Sequence, residues 1–260
     1  MKRAGSSSIA VARIAAFLAT LAVALPARAV DPFEIQVYDG TIEDPGEASL
    51  QLHLNHFAGS TTRASDVQGQ SHATLEPAFG LTPWWDVGGY LQSALMPDGS
   101  FRYAGVKLRS EIATKTGDFR FALNGEVSIL PQEFDPDRWG AELRPIAAWD
   151  TRWFLFAVNP ILTFSFRRAS SENGPHLEPS VLAYGKFLQR YAAGIEYYAG
   201  LGPVGRIAPL AEQEQYVYLA GAVDVGGGCT LNLGLGHGFG DASDPFVAKG
   251  IVGCTVFGAP

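Results

Sequence analysis

The sequence predicts an all-β protein: a transmembrane, antiparallel, up-and-down β-barrel of about 12 strands with both termini in the periplasm. Three observations favour this fold. The chain begins with a signal-peptide pattern, apolar and polar residues alternate in many short segments, and long and short connections alternate with strand number. Thirty glycines, sixteen prolines and abundant aromatic residues argue against a helical protein.

Residues 1–29 have the pattern of a secretory signal peptide. Lys2, Arg3 and Arg13 precede or flank the apolar stretch IAAFLATLAVAL, and PARA places small residues before a cleavage point after Ala29. A membrane anchor is the alternative, but the apolar stretch is shorter than the roughly 20 residues of a spanning helix. Residues 1–29 are therefore predicted to be removed and are excluded from the fold.

The remaining chain is acidic. Four basic and no acidic residues lie in 1–29, which leaves 15 Lys and Arg against 26 Asp and Glu and a formal charge of −11. Such a chain repels nucleic acid, so no nucleic-acid partner is expected. Low charge density with many apolar residues favours a partner of another kind, the lipid of the outer membrane.

Alternation defines the candidate strands. In SLQLHLNHF three leucines share one face, and Gln51, His53 and Asn55 share the other. DFRFALNGEVSIL, YAGVKLRSEIA and CTLNLGLG repeat this pattern, and their lengths suit tilted membrane-spanning strands. In chain order the predicted strands are 48–57, 72–81, 85–95, 101–113, 118–130, 138–149, 152–166, 176–187, 190–199, 214–224, 229–238 and 246–257.

The connections show a second regularity. Those after odd-numbered strands are the longer ones, for example AGSTTRASDVQGQS, PQEFDPD and GLGPVGRIAPLAEQ. Those after even-numbered strands are short, namely TPW, TKTG, DT, LQ and VGGG. Outer-membrane barrels have long external loops and short periplasmic turns, so this alternation favours a barrel, with ten or fourteen strands as alternatives if one hairpin is misassigned.

Aromatic residues near strand ends also favour the membrane. They resemble the two interfacial girdles of such barrels. A soluble β-barrel or sandwich would show the same alternation, but the sorting of the connections and the signal peptide are independent of the alternation and favour the membrane. The aromatic residues are Trp84, Trp85, Trp139, Trp149, Trp153 and Tyr191.

The polar faces of the strands are predicted to line the lumen. Lys107, Arg109 and Glu111 on the fourth strand, with Glu142 and Arg144 on the sixth, are the candidates for a constriction that filters small solutes by charge and size. The alternative is that these charges only close the barrel through ion pairs. The full candidate set is Glu76, Lys107, Arg109, Glu111, Glu126, Glu142, Arg144, Glu178, Lys186 and Glu196.

The barrel domain is predicted to span 48–257, and its ends carry further signals. Cys229 and Cys254 lie opposite each other in the last hairpin and could form a disulfide in the oxidising periplasm; two reduced cysteines are the alternative. The last strand ends on Phe257, which resembles the signal read by the outer-membrane assembly machinery. Residues 30–47 fit neither lipid exposure nor a clean hairpin, so this segment either plugs the barrel or lies in the periplasm against its lower rim.

Several stretches resemble a known family. DPFEIQVYDG, LEPAFGLTPWWDVGGYLQ, YAGVKLRS and NPIL are similar to a family of proteobacterial outer-membrane barrel proteins regarded as transporters. The FGLTPW hairpin is also similar to barrels linked to the uptake of phenolic and other hydrophobic compounds. The resemblance implies an outer-membrane barrel and a transport role, and it brings no catalytic or ligand-binding residues.

Catalytic and metal-binding interpretations have weaker support. HATLEP, NHFAGS, SENGPHLEP and GHGFGDASD lack the residue order of barrel-embedded phospholipases and deacylases. His53, Asn55, His72, Glu76, His176 and Glu178 lack the close spacing of metal ligands, so no metal and no cofactor are expected. The sequence predicts a passive channel for small or hydrophobic solutes. The alternatives are a closed barrel whose loops at 58–71 and 200–213 bind a partner, and a barrel-embedded lipid hydrolase.

Overall fold

The computed structural model describes residues 30–58, 67–166 and 173–258. The predicted signal peptide lies outside the described residues, as does most of the first long connection. The described part of the chain contains no helix long and apolar enough to cross a membrane. Its regular structure is almost entirely β, with one short 3₁₀ turn at Leu210–Glu212.

Fifteen β-segments make up the sheet. Their bounds are β1 Ala48–Ala58, β2 Ser71–Thr82, β3 Trp85–Leu95, β4 Phe101–Thr116, β5 Phe119–Ile129, β6 Trp139–Asp150, β7 Phe154–Asn159, β8 Leu162–Ser165, β9 His176–Leu177, β10 Ser180–Phe187, β11 Tyr191–Gly200, β12 Gly202–Pro203, β13 Glu214–Gly226, β14 Cys229–Gly238 and β15 Phe246–Phe257.

The sheet closes on itself, because β1 pairs antiparallel with both β2 and β15. Three strands are interrupted. β7 and β8 both pair with β6 on one side. On the other side β7 pairs with β10 and β8 pairs with β9. β7 and β8 are therefore two parts of one barrel strand, and β9 and β10 are two parts of the next. β12 extends β11 alongside β9 in the same way. The fifteen segments therefore form a closed, twelve-stranded, antiparallel up-and-down barrel, which confirms the predicted fold.

The interruptions differ from the continuous strands predicted at 152–166 and 176–187. Pro160 lies between β7 and β8, and Pro179 lies between β9 and β10. Proline has no N–H to donate to a neighbouring strand, so each proline removes one hydrogen bond from the ladder; β2 and β6 accommodate Pro77 and Pro145, whereas the strands break at Pro160 and Pro179. Pro145 of β6 lies beside the same break, where the pairing of β6 passes from β8 to β7.

The connections sort into two sets by the end of the barrel at which they lie. Short turns join β2 to β3, β4 to β5, β6 to β7, β10 to β11 and β13 to β14, whereas longer connections such as 130–138 and 239–245 lie at the other end. The short turns mark the periplasmic end. Trp84 stacks on Trp85 and Phe119 stacks on Trp149 near that end, as expected for an interfacial girdle.

The two faces of each strand meet different surroundings. On β1, Leu54 is 49 % exposed while its neighbour His53 is 0 % exposed. On β2, Leu75 and Phe79 face outward, and Thr74 and Glu76 are buried. Because apolar residues face out and charged residues face in, the barrel has the polarity of a membrane protein.

The last hairpin carries a cross-strand disulfide. Cys229, the first residue of β14, pairs in register with Cys254 of β15, and their sulfur atoms are bonded. The bond lies at the periplasmic end of the hairpin, next to the seam at which β15 meets β1.

Candidate functional site: the barrel lumen

The lumen has a charged wall and a tyrosine-rich wall. The charged wall is formed by the inward faces of β2 to β6, and the tyrosine-rich wall by those of β10 to β15. Residues 30–47, here called the lumenal segment, pass between the two walls before the chain enters β1.

Ion pairs connect the strands of the charged wall. Arg109 of β4 lies in the densest group: its Nε is 2.9 Å from Glu76 Oε1 and its Nη1 is 3.1 Å from Asp86 Oδ1. Glu76 also lies 2.9 Å from Nε2 of His53 on β1. All four side chains are buried, so each charge is balanced by a close partner, as a charge removed from bulk water requires.

Two further bases on this wall, Lys107 and Arg144, have one wall partner each. Lys107 Nζ is 3.2 Å from Glu126 Oε2, and Arg144 Nε is 2.7 Å from Glu142 Oε1. An ammonium group has three N–H donors and a guanidinium group has five, so both side chains keep donors for a further acceptor.

The opposite wall is built around Glu196 of β11. This carboxylate accepts hydrogen bonds from the hydroxyls of Tyr184 and Tyr198, and it pairs with the ammonium group of Lys249 on β15. Lys249 Nζ also lies 5.6 Å from the centre of the Tyr218 ring. The result is a largely apolar wall with one fully neutralised ion pair.

The lumenal segment runs down the lumen towards the periplasmic end. Near the external end, the ring of Phe33 packs against Phe134, which belongs to the connection between β5 and β6. At the periplasmic end, Pro45 forms a β-bridge with Gly80 of β2, and Glu43 accepts a hydrogen bond from Ser49. Residues 31–39 therefore lie within the barrel, and residues 43–47 lie at its lower rim.

One side of the segment carries acidic residues that contact the charged wall. Asp31 pairs with Lys107, Glu34 Oε1 lies 3.4 Å from Arg144 Nη1, and Asp39 Oδ2 accepts from Arg120 Nη1 at 2.8 Å. The constriction candidates Lys107 and Arg144 thus hold the segment. They bind it in addition to their wall carboxylates.

The other side of the segment is apolar. Val30, Ile35 and Val37 pack in one buried cluster with four tyrosines and with aliphatic residues of the opposite wall. The tyrosines are Tyr184, Tyr198, Tyr216 and Tyr218. The segment is therefore amphipathic, and each of its sides matches the wall that it contacts.

Backbone contacts add to these side-chain contacts. Lys249 Nζ donates to the carbonyl oxygen of Ile35 at 3.1 Å, and Asn55 Nδ2 donates to that of Pro32 at 3.0 Å. Asn159, at the break between β7 and β8, binds both the N–H and the carbonyl of Tyr38. The ring of Tyr38 lies 4.2 Å from the guanidinium carbon of Arg144.

The surroundings of Glu34 and Glu43 shift their pKa values. Burial, reinforced by the carboxylate of Glu126, raises the pKa of Glu34 well above its usual range, although Arg144 and Lys107 act in the opposite direction. Burial also raises the pKa of Glu43 at the lower rim. Both groups belong to the lumenal segment, so its charge depends on pH.

The ten predicted lumen residues do not form one ring. Glu76, Lys107, Arg109, Glu111, Glu126, Glu142 and Arg144 share the charged wall, whereas Glu196 lies on the tyrosine-rich wall. Lys186 pairs with Asp150 near the periplasmic end, and Glu178 accepts from Thr163 at 3.1 Å beside the break at Pro179. Their role as a selectivity filter stays a prediction.

Several residues of the lumen were not singled out from the sequence. The alternation along β15 could have identified Lys249 as a lumen residue, since Val247, Lys249 and Ile251 share the inward face of that strand. Asn159 had only its neighbour Pro160 as a signal. The described residues contain no group of three or more His, Cys, Asp or Glu placed to hold a metal ion.

Comparison with solved structures places this barrel among outer-membrane proteins. The COG4313 outer membrane channel from Pseudomonas putida F1 is similar with a TM-score of 0.62 at 8 % identity, over 85 % of this chain and 100 % of that one. The chain is an outer-membrane β-barrel. The KdgM porin is similar with a TM-score of 0.55 at 10 % identity, over 79 % of this chain and 98 % of that one. Such low identities show the fold alone.

No family model and no curated protein matches the sequence. The barrel fold and the location in the bacterial outer membrane agree with the prediction, and the two structures compared above are a channel and a porin. Membership of the transporter family that the sequence resembles stays a prediction.

Proposed function

We propose that this protein is a passive channel for small solutes, held closed at rest by the lumenal segment and open when that segment leaves its place. The observation that carries the proposal is the way in which residues 31–39 occupy the lumen. They are held by side-chain contacts and by four ion pairs, which Asp31, Glu34 and Asp39 form with Lys107, Arg120 and Arg144, rather than by β-ladder pairing with the wall. Separate contacts of this kind can break without unpairing the barrel strands, whereas a strand of the barrel cannot leave.

The charge of the lumen supports a filtering role. In the described ion pairs, ten carboxylates meet six Lys or Arg side chains, and three of the ten belong to the lumenal segment. Among these paired groups the acids therefore outnumber the bases by four, and by one when the three acids of the segment are left out. A solute that enters the vacated lumen meets fixed charges of both signs, which select by charge and size.

A closed structural or interaction barrel is the second candidate. The occupied lumen favours it, since a barrel that never releases the segment transports nothing. Its loops would then bind a partner outside the cell, and part of the first loop lies outside the described residues.

Hydrolysis of phospholipid and ester substrates by the purified protein tests the third candidate, a barrel-embedded hydrolase.

A reversible lock separates the first two candidates. A Cβ placed on Gly40 would lie 3.5 Å from that of Ala122 on β5, within disulfide range. Gly40 has φ +73°, so a side chain there costs about 1 kcal/mol or slightly more, which a barrel should tolerate. The double variant Gly40→Cys/Ala122→Cys, reconstituted in liposomes, should release preloaded glycerol slowly when oxidised and at the wild-type rate after reduction.

Wild-type protein treated with the same reductant is the control, because reduction also opens the native Cys229–Cys254 bond. Wild-type release that stays at the rate of protein-free liposomes for glycerol, small ions and small aromatic solutes would overturn the channel proposal. That result would favour the closed barrel.

A further inference from the structure

The lumenal segment offers mainly hydrogen-bond acceptors to the walls. Six wall side chains donate to residues 31–41. In the opposite direction, Asn159 Oδ1 accepts from the N–H of Tyr38, and Asp86 Oδ2 accepts from the N–H of Glu43 at 3.4 Å. The hydroxyls of Tyr38 and Tyr90 share one hydrogen bond in which either can be the donor. The six donors are Asn55, Lys107, Arg120, Arg144, Asn159 and Lys249.

From this asymmetry we infer that the solute of the channel is a small carboxylate with an apolar body, such as an aryl or short-chain alkyl carboxylate. The inference rests on the proposed function. When the segment leaves, the donors that it satisfied lose these acceptors, and each donor then needs an oxygen from water or from a solute. A solute that supplies carboxylate or carbonyl oxygens restores those bonds, whereas a cation does not.

The wall carboxylates do not satisfy all the N–H donors of these bases. Lys107, Arg144 and Arg120 keep Glu126, Glu142 and Asp150 as partners, which balance their charge. Each base still has N–H groups beyond those that one carboxylate accepts. Arg109 shows the contrasting case: three wall carboxylates surround it, and no described hydrogen bond or ion pair joins it to the segment.

The tyrosine-rich wall favours an apolar body for the rest of the solute. Val30, Ile35 and Val37 leave an apolar face lined by tyrosine rings when the segment moves out. Aromatic rings stack favourably on such a surface, and aliphatic chains bury apolar area there. A molecule with a carboxylate on one side and an apolar body on the other reproduces both sides of the segment.

Release of preloaded solutes from proteoliposomes that hold the full chain tests the inference. The probes are benzoate, phenyltrimethylammonium and glycerol at one pH near neutrality. Benzoate should leave about tenfold faster than phenyltrimethylammonium, the preference expected from one charge-assisted hydrogen bond. In Arg144→Gln that ratio should fall to about threefold or less, and Arg120→Gln, at a partly exposed position, serves as a second variant should the first fail to fold.

Arg152→Gln is the matched control, since Arg152 lies in an exposed periplasmic turn and stacks on Trp153 away from the lumen. Its benzoate preference should equal that of the wild type. Glycerol release together with equal or faster release of the cation would overturn the carboxylate inference and leave the channel proposal standing. Release of none of the three probes would overturn the channel proposal, and the inference with it.

Discussion

Asn159 forms hydrogen bonds with both the N–H and the carbonyl oxygen of Tyr38. Its Nδ2 donates to the Tyr38 carbonyl oxygen at 2.9 Å, and its Oδ1 accepts from the Tyr38 N–H at 2.7 Å. Asn159 is fully buried and ends β7, where Pro160 interrupts the strand. The break in the barrel wall thus coincides with an attachment point of the lumenal segment.

Replacing Asn159 should therefore loosen the segment. Asn159→Ala removes two buried hydrogen bonds, each contributing about 1 kcal/mol, so the closed state should lose about 2 kcal/mol relative to the open one. Single-channel recordings in planar bilayers should show an open probability raised by about tenfold or more. Asn173→Ala, in an external loop, is the matched control and should behave as the wild type. An unchanged open probability for Asn159→Ala would contradict a gating role for this contact.

The gate should also respond to pH. Burial and Glu126 raise the pKa of Glu34 above the ordinary glutamate value of about 4.3. A carboxyl group whose pKa rises on docking favours the docked state fully below its ordinary pKa, and this contribution is lost as the pH rises through the raised value. Glu43 shifts in the same direction. Channel conductance should therefore increase with pH above about 4.3.

Conductance measured in bilayers from acid to neutral pH checks this sign. Glu34→Gln mimics the protonated form, so it should remain closed where the wild type opens, and most of the pH dependence should disappear. Asp98→Asn, in the exposed connection between β3 and β4, should leave the pH profile unchanged. A conductance that rises on acidification would show that other groups control the gate.

Much of the barrel could be predicted from the sequence because the membrane and the lumen impose opposite demands on successive residues. An apolar residue on the membrane side and a polar residue on the lumen side give the alternation seen on β1 and β2. The observed first residues of β1 and β15 are the predicted ones. The breaks at Pro160 and Pro179 were missed because alternation continues across them. The prolines themselves were the visible signal.

The lumenal segment shows where sequence reasoning stops. Phe33, Ile35 and Val37 alternate with Glu34 and Gln36 as in a strand, so an amphipathic segment could be recognised. Its partners could not, since Asp31 meets Lys107 and Ile35 meets Lys249 across 76 and 214 positions of the chain. Such contacts depend on the closure of the barrel, and no local pattern records them.

The disulfide should stabilise the last hairpin of the barrel. Cys229 and Cys254 are separated by 25 positions, and closing a loop of that size stabilises a folded protein by about 3 kcal/mol in the chain-entropy description. Cys229→Ser should therefore unfold at a lower temperature in detergent, measured by loss of the fast-migrating band on unboiled gels. The double variant Cys229→Ser/Cys254→Ser should match the single one, which excludes an effect of the remaining thiol. Equal melting of variant and wild type would show that the bond adds no stability.

The packing of the tyrosine-rich wall yields a further prediction. A Cβ on Gly236 of β14 would lie 2.5 Å from the ring of Tyr218, which is fully buried. Because the ring is buried and the approach is far closer than van der Waals contact, Gly236→Ala should destabilise the barrel by about 1–3 kcal/mol through overpacking. Gly125→Ala on β5 is the matched control, because a Cβ there meets nothing within 4 Å. The same thermal assay should place Gly125→Ala at or above the wild type and Gly236→Ala several degrees below it. If both variants melt together, Tyr218 is free to shift and the wall is less tightly packed than its contacts indicate.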